Sequence, residues 1–208
     1  MALEDKETKD NSPKANMRKA IRIFSKTPIA LAAFFRARKG KKIIAPKKNL
    51  SFSENFFYMC FGKIPSKEIV KAFDVSLILY AEHSFNVSTF TARTITSSLS
   101  DIHGAITGAI ASLKGPLHGG ANEEVMHMMN KIKKPENAFG WINKALKNKD
   151  VVMGFGHRVY KKGDSRVPTM EKYFKKVSKI SKDKKFIKIY DIVKSVMIER
   201  KNIHPNVD

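Results

Sequence analysis

The chain has 208 residues, 42% of them apolar, with 11 glycines, 8 prolines and a net charge of +21. That length suits one good-sized domain or one and a half, and that composition excludes a disordered or collagen-like chain. One cysteine, Cys60, excludes an internal disulfide, and a lone thiol in so charged a chain points to a reducing, cytoplasmic setting.

Residues 1–13 are polar, and Glu4, Asp5 and Glu7 are wrong for a signal or transit peptide, so a frayed leader is expected. Residues 14–50 hold twelve Lys or Arg and no acid. The longest apolar stretch, residues 29–35, is far below the roughly 20 residues a membrane span needs. Ser51 and Glu54 predict a capping box, opening a helix that carries Phe56, Phe57, Met59 and Cys60 and ends at Gly62. Ser66 opens the next, whose Ile69, Phe73, Leu77 and Tyr80 form one apolar stripe. Residues 88–113 are rich in small side chains, among them Thr91, Ala92, Gly104, Ala105 and Gly108. They predict a tight helix–helix contact, either inside the core or at a helical subunit interface. Pro168 belongs in the first turn of a helix that buries Met170, Phe174 and Val177. Residues 184–202 repeat the pattern through Phe186, Tyr190, Val193 and Met197. No sustained alternating run reads as a strand, so the fold class is all-α. A glycine-marked loop after Asp150 divides a large helical domain (14–150) from a second, smaller one (151–208).

The charge surplus makes nucleic acid the obvious candidate partner, since residues 161–201 alone hold fourteen cations against five acids. The lysines are spread along helical faces without a nucleic-acid motif, so a solvated surface is the reading adopted. Part of the surplus suits the phosphates of a nucleotide-bearing coenzyme. Metal-ligand spacings, Walker motifs and dinucleotide fingerprints are missing, and no tightly bound cofactor or metal is expected.

Six histidines separate by context. His103 and His127 lie inside helical patterns and read as structural, while His204, before a proline, admits either reading. His83 stands at the end of a helix, where the dipole favours a cation and could attract an anion, although capping is the ordinary role. His118 lies in Gly115 to Asn122, Gly-Pro-Leu-His-Gly-Gly-Ala-Asn, just before a helical run. A helix N-terminus disfavours an imidazolium, and a neutral ring can donate a hydrogen bond to a developing enolate. His157 lies in Gly154 to Tyr160, Gly-Phe-Gly-His-Arg-Val-Tyr, with Arg166 nine residues on. An imidazole and a guanidinium fork make a plausible dicarboxylate clamp, and Lys161, Lys162 and Gly163 between them could take phosphate. Asp208, behind the turn His204-Pro-Asn, is unreadable alone, because a last residue is ordinarily frayed and inert. With His118 and His157 it becomes the base that such an electrophile pair lacks.

Taken in order, these segments closely resemble the active-site signature of the citrate synthase family, which includes the 2-methylcitrate synthases. The likeness runs from about Ala15 to Asp208, also through Asn55 to Met59, Asp74 to Leu79, Ala81 to His83 and Asn86 to Phe90. It implies an all-α homodimer whose large and small domains close over oxaloacetate and acetyl-CoA, or propionyl-CoA, as co-substrates. By that resemblance Asp208 is the base, His118 stabilises the enol, and His157 donates to the oxaloacetate carbonyl. His83, His157 and Arg166 hold oxaloacetate. Leu117, Val151, Val152, Gly154, Gly156, Lys161, Lys201 and Asn206 contact the coenzyme. Asp164-Ser-Arg166 stands where the family usually has Asp-Pro-Arg, which should loosen that loop. The family's sequence extends on both sides of this stretch and supplies further arginines, so the chain reads as a fragment, expected to be inactive by itself.

Overall fold

The computed structural model of the chain describes residues 2–81 and 86–208. Among them are nine α-helices: α1 (Pro13–Ala37), α2 (Phe52–Phe61), α3 (Lys67–Ala81), α4 (Val87–Ser97), α5 (Ile102–Leu113), α6 (Ala121–Ile132), α7 (Pro135–Asn148), α8 (Val167–Ile180) and α9 (Lys185–Lys201). The described residues contain no strand, only one antiparallel bridge between Phe155 and Pro205, so the all-α expectation holds. No described helix is long and apolar enough to cross a membrane. The chain divides into two compact units, residues 1–74 with 83–113, and residues 75–82 with 114–208.

In the first unit the local signals act as read. Ser51 Oγ accepts from the Glu54 amide at 3.4 Å, and the Glu54 carboxylate accepts from the Ser51 amide at 2.9 Å. That capping box starts α2, and Gly62, at φ +76°, ends it. Met59 and Cys60 of α2 pack on Ala32 of α1, with Phe35 and Phe56 around them. Burial raises the Cys60 thiol above its ordinary pKa, as suits an inert packing residue. Between α4 and α5 the tight contact expected from small residues is present. A Cβ on Gly108 would lie 2.2 Å from Cδ1 of Ile95, so glycine lets that side chain rest on α5 without turning aside.

One expectation for this region needs correction. Residues 2–12 are not a frayed leader. Arg22 pairs with Asp5 and Glu7, Arg18 pairs with Glu7, and Lys19, fully buried, donates to the Thr8 and Asp10 carbonyls. Arg18 and then Arg22 lower the Glu7 carboxyl to about 2. The basic run of residues 14–50 thus spends several of its charges on the acidic segment before it. The apolar stripe on α3 is not enclosed within the chain. None of its residues is buried, and Leu77 and Tyr80 remain 37% and 40% exposed.

The second unit is built on α6, α7 and α9. Ile132, Ile142, Ile189 and Val193 are fully enclosed, with Met128, Met129, Ala138, Val152, Val196 and Met197 around them. Each large aliphatic buried in this way contributes on the order of 1.5–3 kcal/mol, so this cluster is the rigid platform for the loops beside it. It joins residues on both sides of Asp150, where composition alone suggested a boundary. Pro168 lies in the first turn of α8 as expected. Its anticipated buried face, Met170, Phe174 and Val177, is only half-buried; the buried residue of α8 is Ser178, whose hydroxyl donates to the Asp183 carbonyl at 2.7 Å.

Candidate active site

His118, His157, Arg166 and Asp208 all belong to the second unit. The loop before α6 is a compact knot. The Gly115 carbonyl accepts from the amides of His118 (2.9 Å) and Gly120 (3.1 Å), and the His118 carbonyl accepts from Ala121 at 2.9 Å. His118 is thereby fixed at the head of α6, half-buried, with its backbone turned into the helix. The knot closes only because residue 120 is glycine: a Cβ there would lie 2.4 Å from the Lys114 carbonyl oxygen and 2.7 Å from that of Gly115. Both obstacles are backbone and cannot rotate away. Gly120→Ala should therefore cost about 1–3 kcal/mol, read as a lowered urea midpoint, and should displace His118. An unchanged midpoint would show that the loop is looser than described.

The loop after Val152 is joined to the segment at 204–206. The Gly156 amide donates to the His204 carbonyl and the Asn206 amide to the Gly154 carbonyl, both at 2.9 Å. The Asn206 side chain donates to the Gly156 carbonyl at 2.8 Å. Gly154 and Gly156 have φ of +81° and +75°, a region that only glycine enters without strain. Next to this ribbon, Nδ1 of His157 accepts from the amides of Val159 (3.0 Å) and Tyr160 (3.2 Å). An Nδ1 that accepts carries no proton, so the ring proton sits on Nε2. The His157 ring lies on Tyr160, centroids 4.7 Å apart.

Asp164 organises the rest. Its side chain is fully enclosed. Oδ1 accepts from the Arg166 amide (3.0 Å) and Nε (2.9 Å); Oδ2 accepts from Arg166 Nη2 (2.7 Å) and the Val207 amide (3.1 Å). Burial pushes this carboxyl up, but the Arg166 hydrogen bonds and charge, with the Val207 amide, outweigh it and hold the group below its ordinary value. The missing proline therefore does not leave the loop slack, because Asp164 itself ties it down. Arg166 also differs from the simple clamp expected. The Nε–Nη2 edge of its fork is taken by Asp164, so three of its five N–H donors, at the Nη end, are not engaged by that carboxylate. Its guanidinium stands 5.4 Å from the Tyr160 ring centroid.

Asp208 is not frayed. Its amide donates to Asn206 Oδ1 at 3.0 Å, and Val207 before it is buried. The Tyr80 hydroxyl lies 3.0 Å from the Val207 carbonyl, 3.0 Å from Asn122 Oδ1 and 3.5 Å from Asp208 Oδ1. Burial raises the Asp208 carboxyl above its ordinary value against the pull of Arg166, the Tyr80 hydroxyl and His118, while Asp164 adds to the rise. A carboxylate tuned upward in this way is a stronger base than an exposed one.

Gly154, Gly156 and Asn206 come together in the ribbon. Leu117 and Val151 project into solvent, 87% and 73% exposed, and Lys161 and Lys201 are also exposed. The Val152 side chain faces the core, which leaves only its backbone for a ligand. His83 lies outside the described residues. Among the described residues no three His, Cys, Asp or Glu groups gather as metal ligands. Sequence reading missed Tyr80, Asn122, Tyr160 and Asp164 as parts of the site. Asn122 and Tyr160 stood inside the two histidine motifs and Asp164 two residues before an arginine, whereas Tyr80 looked like one more member of an apolar stripe.

The whole chain, residues 1–208, matches the family model described as citrate synthase, C-terminal domain. It is 46% identical over 208 residues to a citrate synthase of Mycolicibacterium smegmatis, covering all of this chain and 56% of that protein. Over 191 residues it is 53% identical to 2-methylcitrate synthase 2 of Corynebacterium glutamicum, covering 89% of this chain and 50% of that one. The chain thus spans about half the length of the curated relatives it matches. Among solved structures, it is similar to the citrate synthase of Thermoplasma acidophilum in ternary complex with carboxymethyl coenzyme A and oxaloacetate, with a TM-score of 0.91 at 32% identity, covering 100% of this chain and 55% of that one. Helices, glycine knots and histidine loops thus agree with the sequence comparisons in one assignment: the chain belongs to the citrate synthase family.

Proposed function

We propose that the protein carrying these residues is a citrate synthase-type acyltransferase that condenses acetyl-CoA with oxaloacetate and, with water, yields citrate and CoA. The observation that carries this reading is the setting of Asp208, a half-buried carboxyl raised in pKa on which Arg166, Tyr80 and His118 all act. Asp208 takes a proton from the acyl α-carbon. His118 donates to the enol oxygen that forms, and His157 donates through Nε2 to the oxaloacetate carbonyl as the new carbon–carbon bond closes. Arg166 holds an oxaloacetate carboxylate through its Nη end, with His83 as a further oxaloacetate ligand. The coenzyme lies along Leu117 and the backbone from Val151 to Gly156, with Lys161, Lys201 and Asn206 near its polar parts. A homodimer in the cytoplasm, with the small helices α4 and α5 at the subunit interface, belongs to the same proposal. The shared α6, α7 and α9 core supports moving the start of the small domain from residue 151 to near Lys114.

A second reading is the same chemistry with propionyl-CoA, favoured by relatives that carry both names at similar identity. One methylene separates the acyl groups, worth only about 1–3 kcal/mol in a pocket. Thiol release from acetyl- and propionyl-CoA, each with and without oxaloacetate, decides between them. Absence of oxaloacetate-dependent release with either thioester from the full-length protein that carries these residues would overturn the proposal, whereas the 208-residue stretch alone is expected to show none. A steep salt-sensitive retention of nucleic acid would instead favour a basic binding module.

A further inference from the structure

We infer that Tyr80 is a positioning residue of the catalytic base: its hydroxyl fixes the Val207–Asp208 dipeptide and stabilises the ionised form of the Asp208 carboxyl. The inference rests on the reading of Asp208 as the base. Tyr80 sits one residue from the C-terminal end of α3, 128 positions from Asp208 in the chain. It read as one more member of an apolar stripe, yet its hydroxyl meets three acceptors.

A phenol has one proton to give. Two of the acceptors around it, the Val207 carbonyl and Asp208 Oδ1, belong to consecutive residues, so one hydroxyl meets both the backbone that carries the base and the base itself. The third, Asn122 Oδ1, lies on the first turn of α6, four residues after His118. Tyr80 thereby ties the base to the helix that follows the loop of the proposed electrophile. An ionised carboxylate is the strongest acceptor of the three, since hydrogen bonds to a charged partner are about twice as strong as neutral ones. When Asp208 is ionised the phenol proton turns towards it; when Asp208 is protonated the proton returns to Val207 or Asn122. The balance at the carboxyl is then complete in named groups. Burial and the Asp164 charge disfavour its ionised form, and Arg166, Tyr80 and His118 favour it. Tyr80 itself remains a donor throughout the working range, because burial first, and then the Asp208 charge, push its phenol up to about 12.

Tyr80→Phe removes the hydroxyl and keeps the ring. Two measurements test it. In the first, protein labelled with carbon-13 at the aspartate carboxyls is titrated, with the Asp208 signal identified by its loss in Asp208→Asn. The Asp208 midpoint should rise by about half to one pH unit in Tyr80→Phe. In the second, the acid limb of the kcat/KM profile for thiol release should move up by the same amount. kcat should fall about 3- to 10-fold while KM for oxaloacetate stays within about twofold. A merely structural role would lower the yield of folded protein and leave both midpoints where they were. An unchanged Asp208 titration overturns the inference whether or not the protein condenses its substrates. A shifted titration in a full-length protein that shows no condensation upholds the contact and sinks the proposed function instead, so the two failures are distinguishable.

Discussion

Replacing Asp208 with asparagine should lower kcat by about 10²- to 10⁴-fold, the range for loss of a positioned general base, while oxaloacetate binding stays nearly intact. Asparagine keeps the size of the side chain and the backbone bond from Asp208 to Asn206, but it cannot take a proton. Because Asp208 is assigned to the enolisation step, its loss falls on the transition state and not on ground-state affinity for the dicarboxylate. His118→Ala should behave in the same way, since the enolate it steadies exists only after proton transfer. Calorimetric titration with oxaloacetate, beside steady-state thiol release, separates the two effects. If His118→Ala weakened oxaloacetate binding as much as turnover, the division of labour between His118 and His157 would be wrong. The raised Asp208 carboxyl adds a check on pH. The acid limb of kcat/KM should lie above the ordinary aspartate value of about 3.9.

Asp164→Ala should be the most destabilising single change in the second unit, about 3–5 kcal/mol at neutral pH. The carboxylate is fully enclosed and accepts four hydrogen bonds, three from Arg166 and one from the Val207 amide. Without it, a mostly buried guanidinium and a buried amide lose their partner together. Both the Arg166 edge and the approach to Asp208 lose their anchor, so KM for oxaloacetate should rise and kcat fall in the residual folded enzyme. The sign of the pH dependence follows from the lowered Asp164 carboxyl. The stability it contributes is fully present above the unfolded value of about 3.9 and is lost as pH falls through the folded one. Asp208 acts the other way. With its folded value raised, it favours the folded state at low pH and loses that contribution as pH rises through the folded value. The gap between wild type and Asp164→Ala should therefore shrink below about pH 3.9. Trp141, the single tryptophan, borders the core of this unit and reports its unfolding. Urea midpoints by tryptophan fluorescence at neutral pH and at pH 3 measure the gap; equal midpoints at neutral pH would remove Asp164 as the organiser of the site.

What the amino-acid sequence determined by itself was where the backbone starts, stops and turns its helices within a few residues. The Ser51–Glu54 box, the Gly62 stop and Pro168 in the first turn of α8 depend on neighbours three or four positions away, and each stands where it was read. The two glycine-framed histidine loops were equally legible, because a bare backbone turn around an imidazole is a local feature. The tertiary structure decided which charged and polar side chains are enclosed and which partners they take, near or far along the chain. Asp208 looked inert until Tyr80, Asp164 and Asn206 enclosed it, from 128, 44 and 2 positions away. Arg166 read as a free clamp until Asp164 took one edge of its fork, and the acidic opening segment read as loose until Arg18, Lys19 and Arg22 gathered it in. In each case the chain shows which charges exist, but burial alone decides which of them need a partner, since a charge left in water costs nothing and one taken from it must be matched.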